Sequence, residues 1–203
     1  MAVHTEQQRK VIADAVVSMD GYTSTGAEDD MGWAMEHITS EQSEIMYEGI
    51  WRGVSTAVVG RVNWEGFTSV WPGLTSDPTS SARTRDLGNW LATVDKVVVS
   101  RTLEQSDLDK TEWTNARVAR DLEAEVRSLK AGPGRDILVL NSASVIQALL
   151  RADLIDELSL TVLPTTLGGG VRLLPEGFSS KWRLSHATTV PTTGAVALCY
   201  RRT

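Results

Sequence analysis

The run at residues 136–140 (DILVL) passes directly into a helical pattern through Asn141, Ser142, Ala143 and Ser144, with Val145 the first apolar residue of the helix. A strand entering a helix through small residues leaves unpaired backbone N–H groups and the positive end of the helix dipole facing outward, which suits a phosphate or pyrophosphate. Ser142 or Ser144 could equally serve only as an N-cap, worth ~1 kcal/mol to the helix. The carboxyl end of a central parallel strand favours a ligand, because open α/β sheets bind there. Two other strand ends are similar in kind: Gly60-Arg61 after TAVV, and Ser100-Arg101-Thr102 after KVVV. Each sets an arginine, suited to bidentate phosphate contacts, beside a small residue that permits close backbone approach. Either arginine alone reads equally well as a solvated charge. Together with the helix N-terminus they would form a cleft for a dinucleotide carrying an extra phosphate.

Other patterns carry less. The segment LGGGVRL at residues 167–173 matches the first two glycines of a dinucleotide fingerprint at Gly168 and Gly170. Leu173 stands at the third position and the segment opens no βαβ unit, so it reads as a tight loop. His4, His37 and His186 are scattered, and no G-x-S-x-G elbow offers a serine nucleophile. His37, beside Glu36, reads as a surface residue at a helix start. A formal charge of -6 and a pI near 5.1 argue against nucleic-acid binding. The single cysteine, Cys199, closes no internal disulfide and no Cys/His spacing indicates a metal site, so a reducing cytoplasm is expected. No run approaches the ~20 apolar residues of a membrane span.

Positioning those strand ends requires a sheet. Residues 11–18 (VIADAVVS), 56–60, 96–100 and 136–140 are nearly continuous apolar runs, as expected of parallel strands buried on both faces. Helical periodicity appears between them at residues 118–130, from Thr39 onward, and at 143–151, with a weaker pattern at 79–93 where Gly88 intrudes. Residues 71–82 (WPGLTSDPTSSA) read as a long surface loop. After Asp156 the apolar residues alternate, and runs at 181–190 and 195–201 flank a PTTG turn, which predicts an antiparallel hairpin. The expected fold is one α/β domain over residues 1–203, with a mixed, mostly parallel sheet flanked by helices and closed by that hairpin.

Five segments in order also resemble a known family: Ser18-Met19-Asp20-Gly21, VVGRVNWEGF (58–67), VVVSRTL (97–103), ILVLNSASVIQALL (137–150) and IDELSLTVLPTTLGGGVRLLP (155–175). In order and spacing they resemble the dihydrofolate reductase-like superfamily, in the branch similar to the C-terminal reductase domain of bifunctional riboflavin biosynthesis enzymes. The resemblance implies NADPH lying across the strand ends. Gly60, Arg61, Ser100 and Arg101 would meet the adenosine and 2'-phosphate side, Asn141 to Val145 the pyrophosphate, and the loop at Asp20-Gly21 the nicotinamide side. It further implies a small-molecule substrate and is compatible with a homodimer. Dihydrofolate reductases place a buried acid near the first helix. Counting from Trp33 and from Gly60 gives different positions, which leaves Glu41 and Glu44 as the candidate catalytic carboxylates, against a reading as solvated helix charges.

Seven tryptophans against two phenylalanines add aromatic walls. Trp33 and Trp51 are expected on the substrate side, with Trp33 the substrate-binding candidate, Trp64 and Trp71 around the segment after Arg61, and Trp90, Trp113 and Trp182 as fillers. Three functions remain open at this point: an NADPH-dependent reductase of a small nitrogen heterocycle, imine or carbonyl, an NADPH-binding module without turnover, and a structural dimeric domain.

Overall fold

The computed structural model describes residues 8–26, 31–38, 40 and 48–203. Glu41 and Glu44 lie outside the described residues, as does most of the helix expected from Thr39; residues 48–51 are helical.

Eight strands form one sheet: β1 (Val11–Ser18), β3 (Val54–Gly60), β4 (Asp95–Val99), β5 (Ala116–Ala119), β6 (Asp136–Leu140), β7 (Glu157–Leu163), β9 (Trp182–Val190) and β10 (Ala195–Arg202). Their order is β5-β4-β3-β6-β1-β7-β10-β9. The pairs from β5 through β7 are parallel, while β10 runs antiparallel to both β7 and β9. The expected mixed sheet with its C-terminal hairpin is therefore the observed fold. At the hairpin tip the N–H groups of Thr193 and Gly194 both reach Val190 O, and Gly194 adopts a φ of 71°. A separate ribbon pairs β2 (Tyr22–Ser24) with β8 (Val171–Arg172).

The helices cover the sheet for reasons visible in their sequences. A short 3-10 turn (Gly32–Ala34) leads into α1 (Met35–Ile38). On one face, α5 (Leu122–Ala131) buries Val126 and α6 (Ala143–Arg151) buries Val145, Ile146, Leu149 and Leu150 against Val11, Ala13, Ala15 and Val17 of β1. Full burial of each leucine or isoleucine there contributes about 1.5–3 kcal/mol. On the other face, α2 (Arg61–Ser76) and α3 (Ala82–Thr93) enclose Trp64, Leu91, Val59 and Val98. A brief helix, α4 (Gln105–Leu108), packs against the edge strand β5, where the Gln105 side chain bonds Ala116 O and Val118 N.

Three expectations are corrected. Residues 71–76 are the last turns of α2 rather than loop. Pro72 is tolerated inside it, and the hydroxyls of Thr75 and Ser76 bond back to Trp71 O and Pro72 O, so residues that usually favour turns satisfy helix carbonyls instead. The helix expected from Val118 starts only at Leu122: residues 116–119 pair with β4, and Asp121 caps α5 by accepting from Ala124 N at 3.0 Å. His37 is buried rather than superficial, its Nδ1 3.0 Å from Thr193 Oγ1, and burial lowers its pKa. It pins α1 to the hairpin tip. Gly88 has a packing reason, since a Cβ there would lie 1.9 Å from Thr75 Oγ1 where α2 crosses α3.

Among the described residues, no helix is long and apolar enough to cross a membrane and no cluster of His, Cys, Asp or Glu could hold a metal ion. Cys199 is a free thiol.

Candidate active site

The carboxyl ends of β3 and β6 meet through one side chain. Ser142 is buried at the N-cap position of α6 yet does not cap it. Its hydroxyl donates to Leu140 O at 2.9 Å and accepts from Gly60 N at 2.9 Å. Gly60 is itself the N-cap of α2 and has no side chain to fill that role. Two helix N-termini therefore lie side by side with their first-turn amides uncapped, a concentration of positive backbone potential. Gly60 also permits the approach: a Cβ there would lie 3.4 Å from Val145 Cγ2 and 3.7 Å from Ser142 Cβ.

These N-termini open into a cleft of about 1850 Å³, lined at this end by Gly60, Arg61, Ser100, Arg101, Asn141, Ala143, Ser144 and Val145. Eight of the expected cofactor residues thus share one surface, and Ser142 supports it from behind. Arg61 pairs with Glu65 at 2.8 Å across one exposed helical turn, which leaves it available to an anion because such pairs are weak. Arg101 is exposed. Ser100 is buried, and its hydroxyl accepts from the N–H groups of Thr102 and Leu103 to shape the turn.

Asp20 and Gly21 stand outside the cleft lining. The Asp20 carboxylate accepts from Ser18 Oγ, Leu167 N and Gly168 N, and those bonds hold its pKa down at about 2. Gly21 turns at φ 85° and its carbonyl accepts from Leu173 N. These two residues fasten the loop after β1 to the LGGG segment, where Gly170 must be glycine: a Cβ there would lie 2.1 Å from Ser24 O. The two segments so fastened contribute Thr23 and Gly26 from one side and Val171 from the other to the cleft.

The same cleft also has an aromatic and sulfur-rich lining, with Met31, Met35, Ile38, Trp51, Trp71 and Trp90, and Asn141 Nδ2 lies 3.9 Å from Met31 Sδ. Trp51 and Trp90 are tilted against each other with ring centroids 5.6 Å apart. Trp90, expected as a filler, belongs to the site. Trp33 does not line the cleft; it packs beside Ala34 and Val16, and its buried Nε1 has no hydrogen-bond partner among the described residues. Trp64 and Trp113 pair edge-on within the core at 5.7 Å, out of reach of a ligand.

Two site residues escaped the sequence reading. Arg120 lines the cleft beside Arg101, bonding Ser100 O at 2.7 Å and Glu104 at 2.8 Å. It follows β5 as Arg61 and Arg101 follow their strands, and reading residues 118–130 as helix hid that equivalence. Asp14 is the other. It is the lone charge in the apolar run VIADAVVS, at the β1 position where pairing with β6 ends, opposite Leu140. Beyond that pair Asn141, at φ 46°, takes over from the strand: its Oδ1 accepts from Val16 N at 3.1 Å and its N–H reaches Asp14 O at 2.9 Å. Asp14 shares its face of β1 with Ile12 and Val16, each packed in an apolar cluster. Its Oδ1 is buried without a hydrogen-bond partner among the described residues, and it lines the cleft. Burial pushes its pKa up to about 6, partly offset by a hydrogen bond from Ser159 on β7.

Residues 9–196 match the RibD C-terminal domain. The chain belongs to this family. A solved structure described as a putative riboflavin biosynthesis protein from Shewanella sp. PV-4 superimposes with a TM-score of 0.69, at 22% identity over 96% of this chain and 99% of that one. RibD of Acinetobacter baumannii gives 0.65 at 14% identity over 97% of this chain and 58% of its own. The Thermotoga maritima diaminohydroxyphosphoribosylaminopyrimidine deaminase/5-amino-6-(5-phosphoribosylamino)uracil reductase gives 0.63 at 13% identity, over 98% of this chain and 58% of that one. The uncharacterized protein YyaP of Bacillus subtilis (strain 168) is 26% identical over 164 residues, 81% of this chain and 79% of its own. This member of the RibD C-terminal family thus has the reductase-domain fold, with the cleft just described at the carboxyl ends of its parallel strands.

Proposed function

We propose that the protein is an NADPH-dependent reductase acting on a flat nitrogen heterocycle, or a related imine or carbonyl, bound in this cleft. The observation that carries the reading is the convergence of the α2 and α6 N-termini, bridged from Gly60 to Ser142, on the same cleft as three arginines. Uncapped amides suit a pyrophosphate, and Arg61, Arg101 and Arg120 suit a terminal phosphate monoester. When bound, NADPH would supply hydride from its nicotinamide ring. The chain's own part is to orient and to exclude water. The amides of Ala143, Ser144 and Val145 would fix the pyrophosphate, and Met31, Trp51 and Trp90 would enclose a planar ring away from solvent. The fold and family support a substrate of the riboflavin-pathway pyrimidine class, with pterins and quinones as related planar acceptors.

Titration with NADPH tests this, followed by tryptophan fluorescence and by melting temperature. Binding at 100 times the Kd raises stability by about 2.7 kcal/mol. Arg61→Ala should weaken NADPH binding about tenfold while leaving NADH nearly unchanged. Absence of both protection and quenching at millimolar NADPH would overturn the reading, and NADPH binding without oxidation by any of the three acceptor classes would favour a nucleotide-binding module.

A further inference from the structure

Resting on that reading, we infer that Asp14 is the catalytic acid of the cleft, handing its proton to the substrate atom next to the carbon that receives hydride. The placement is specific. Asp14 occupies the crevice where β1 and β6 cease to pair, the point in an open sheet at which ligands bind, and its buried Oδ1 has no hydrogen-bond partner among the described residues. An unpartnered buried carboxyl oxygen costs the fold free energy, and a ligand bound in the cleft would supply the missing partner.

Among the described residues, the other carboxylates lining the cleft are occupied or turned to solvent. Glu48 is held by Arg52 and Arg83, Glu65 by Arg61, and Asp77 by Thr79, while Asp86 is exposed on α3. Around Asp14 itself stand apolar Ile12 and Val16 on its own strand and Ser159 on β7. Beyond them lies the Cys199 thiol on β10, whose pKa is raised by burial and then by Asp14. No cation is adjacent among these groups to hold Asp14 ionised, so it keeps its proton to a higher pH than a solvated aspartate.

The step balances simply. Hydride from NADPH forms a C–H bond at the carbon of a substrate C=N, and the π electrons move to nitrogen. That nitrogen forms an N–H bond with the proton released from the Asp14 carboxyl group. The substrate gains two electrons, NADPH becomes NADP+, and the carboxylate recovers a proton from solvent through the open cleft. A conjugated carbonyl would accept the proton on oxygen in the same way. The preferred substrate is therefore a planar ring whose acceptor nitrogen or oxygen carries no cation, since an ammonium would have nothing to gain from a protonated acid.

The test compares wild-type protein with Asp14→Asn, using NADPH, NADP+ and 7,8-dihydropterin as probes. Carboxyl NMR of carbon-13 aspartate-labelled protein should show one signal, absent from Asp14→Asn, that titrates near pH 6 and shifts when 7,8-dihydropterin is added to the NADP+ complex. Single-turnover NADPH oxidation by 7,8-dihydropterin should slow about 100-fold in Asp14→Asn, with NADPH affinity unchanged within about twofold. The wild-type rate should fall about tenfold per pH unit above the transition, and the variant's should lose that inflection. An Asp14 signal that titrates as an ordinary aspartate, or ignores the probe, overturns the inference even without turnover. So does a variant rate within about threefold of wild type. If NADPH binds and these fail, only the acid is wrong. If NADPH itself does not bind, the reductase reading falls first.

Discussion

Asp14 sets a cost that should be visible without any ligand. Its folded-state pKa of about 6 lies above the ordinary value of 3.8, so between those two pH values the folded chain binds more protons than the unfolded chain. Stability then falls as pH rises through that window and stays lowered above it. A shift of this size corresponds to roughly 1–3 kcal/mol at neutral pH. Asp14→Asn should therefore raise the melting temperature at pH 7.5 and have almost no effect at pH 4. Melts at the two pH values check this, and an equal gain at both would show that the carboxylate is not penalised by burial. A residue that weakens the fold while lining the cleft has the character of a site residue. It was legible only as an anomaly, one acid at an inward position of an otherwise apolar strand. Trp90 was less legible still, because a helix face shows its period but not whether a cleft or a core lies beneath it.

Helices and strands were readable wherever one signal ruled a segment. The β1 and β6 bounds follow from nearly continuous apolar runs, and α6 from four apolar residues at helical spacing. Misreadings arose where two signals competed. Val118 satisfies both the period of α5 and the pairing of β5, and tertiary pairing with β4 decided it. Pro72 and the hydroxyl-rich stretch after it imitate a loop, but Trp71 and Leu74 continue the inward face of α2. Gly88 looked like a weakness in α3 and is instead a point where the Thr75 side chain of α2 fills the space a Cβ would need. Two opposed effects meet at that site. Gly88→Ala gains up to ~1 kcal/mol of helix propensity, whereas a Cβ 1.9 Å from Thr75 Oγ1 forces the helices apart at a cost of about 1–3 kcal/mol. The single variant should be less stable in urea unfolding, and most of the loss should disappear in the Gly88→Ala/Thr75→Ala double variant. A double-variant cycle without coupling would mean that the crossing is looser than its geometry.

At the scale of the whole chain, strand order matters more than any single contact. β1 lies between β6 and β7, and β6 lies between β3 and β1, so the centre of the sheet interleaves early and late sequence. A cut at any loop between β3 and β6 removes a central neighbour from both pieces and exposes the parallel edges of β3 and β1. The cleft depends on the same interleaving, because Gly60 meets Ser142 only when β3 and β6 are paired, and Asp14 meets the cleft only when β1 completes the crevice. Site and fold should therefore be lost together, in one transition across residues 1–203. The tryptophans supply internal reporters, since Trp51 and Trp90 sit at the cleft while Trp64 and Trp113 lie in the core under α2. Urea unfolding followed by tryptophan fluorescence, far-ultraviolet circular dichroism and a Trp51→Phe/Trp71→Phe/Trp90→Phe variant that removes the cleft tryptophans should give superimposable transitions. Separate fragments covering residues 1–103 and 104–203 should each lack a cooperative transition. A core signal that persists after the cleft signal has melted would divide the molecule into two units and detach the site from the sheet that holds it.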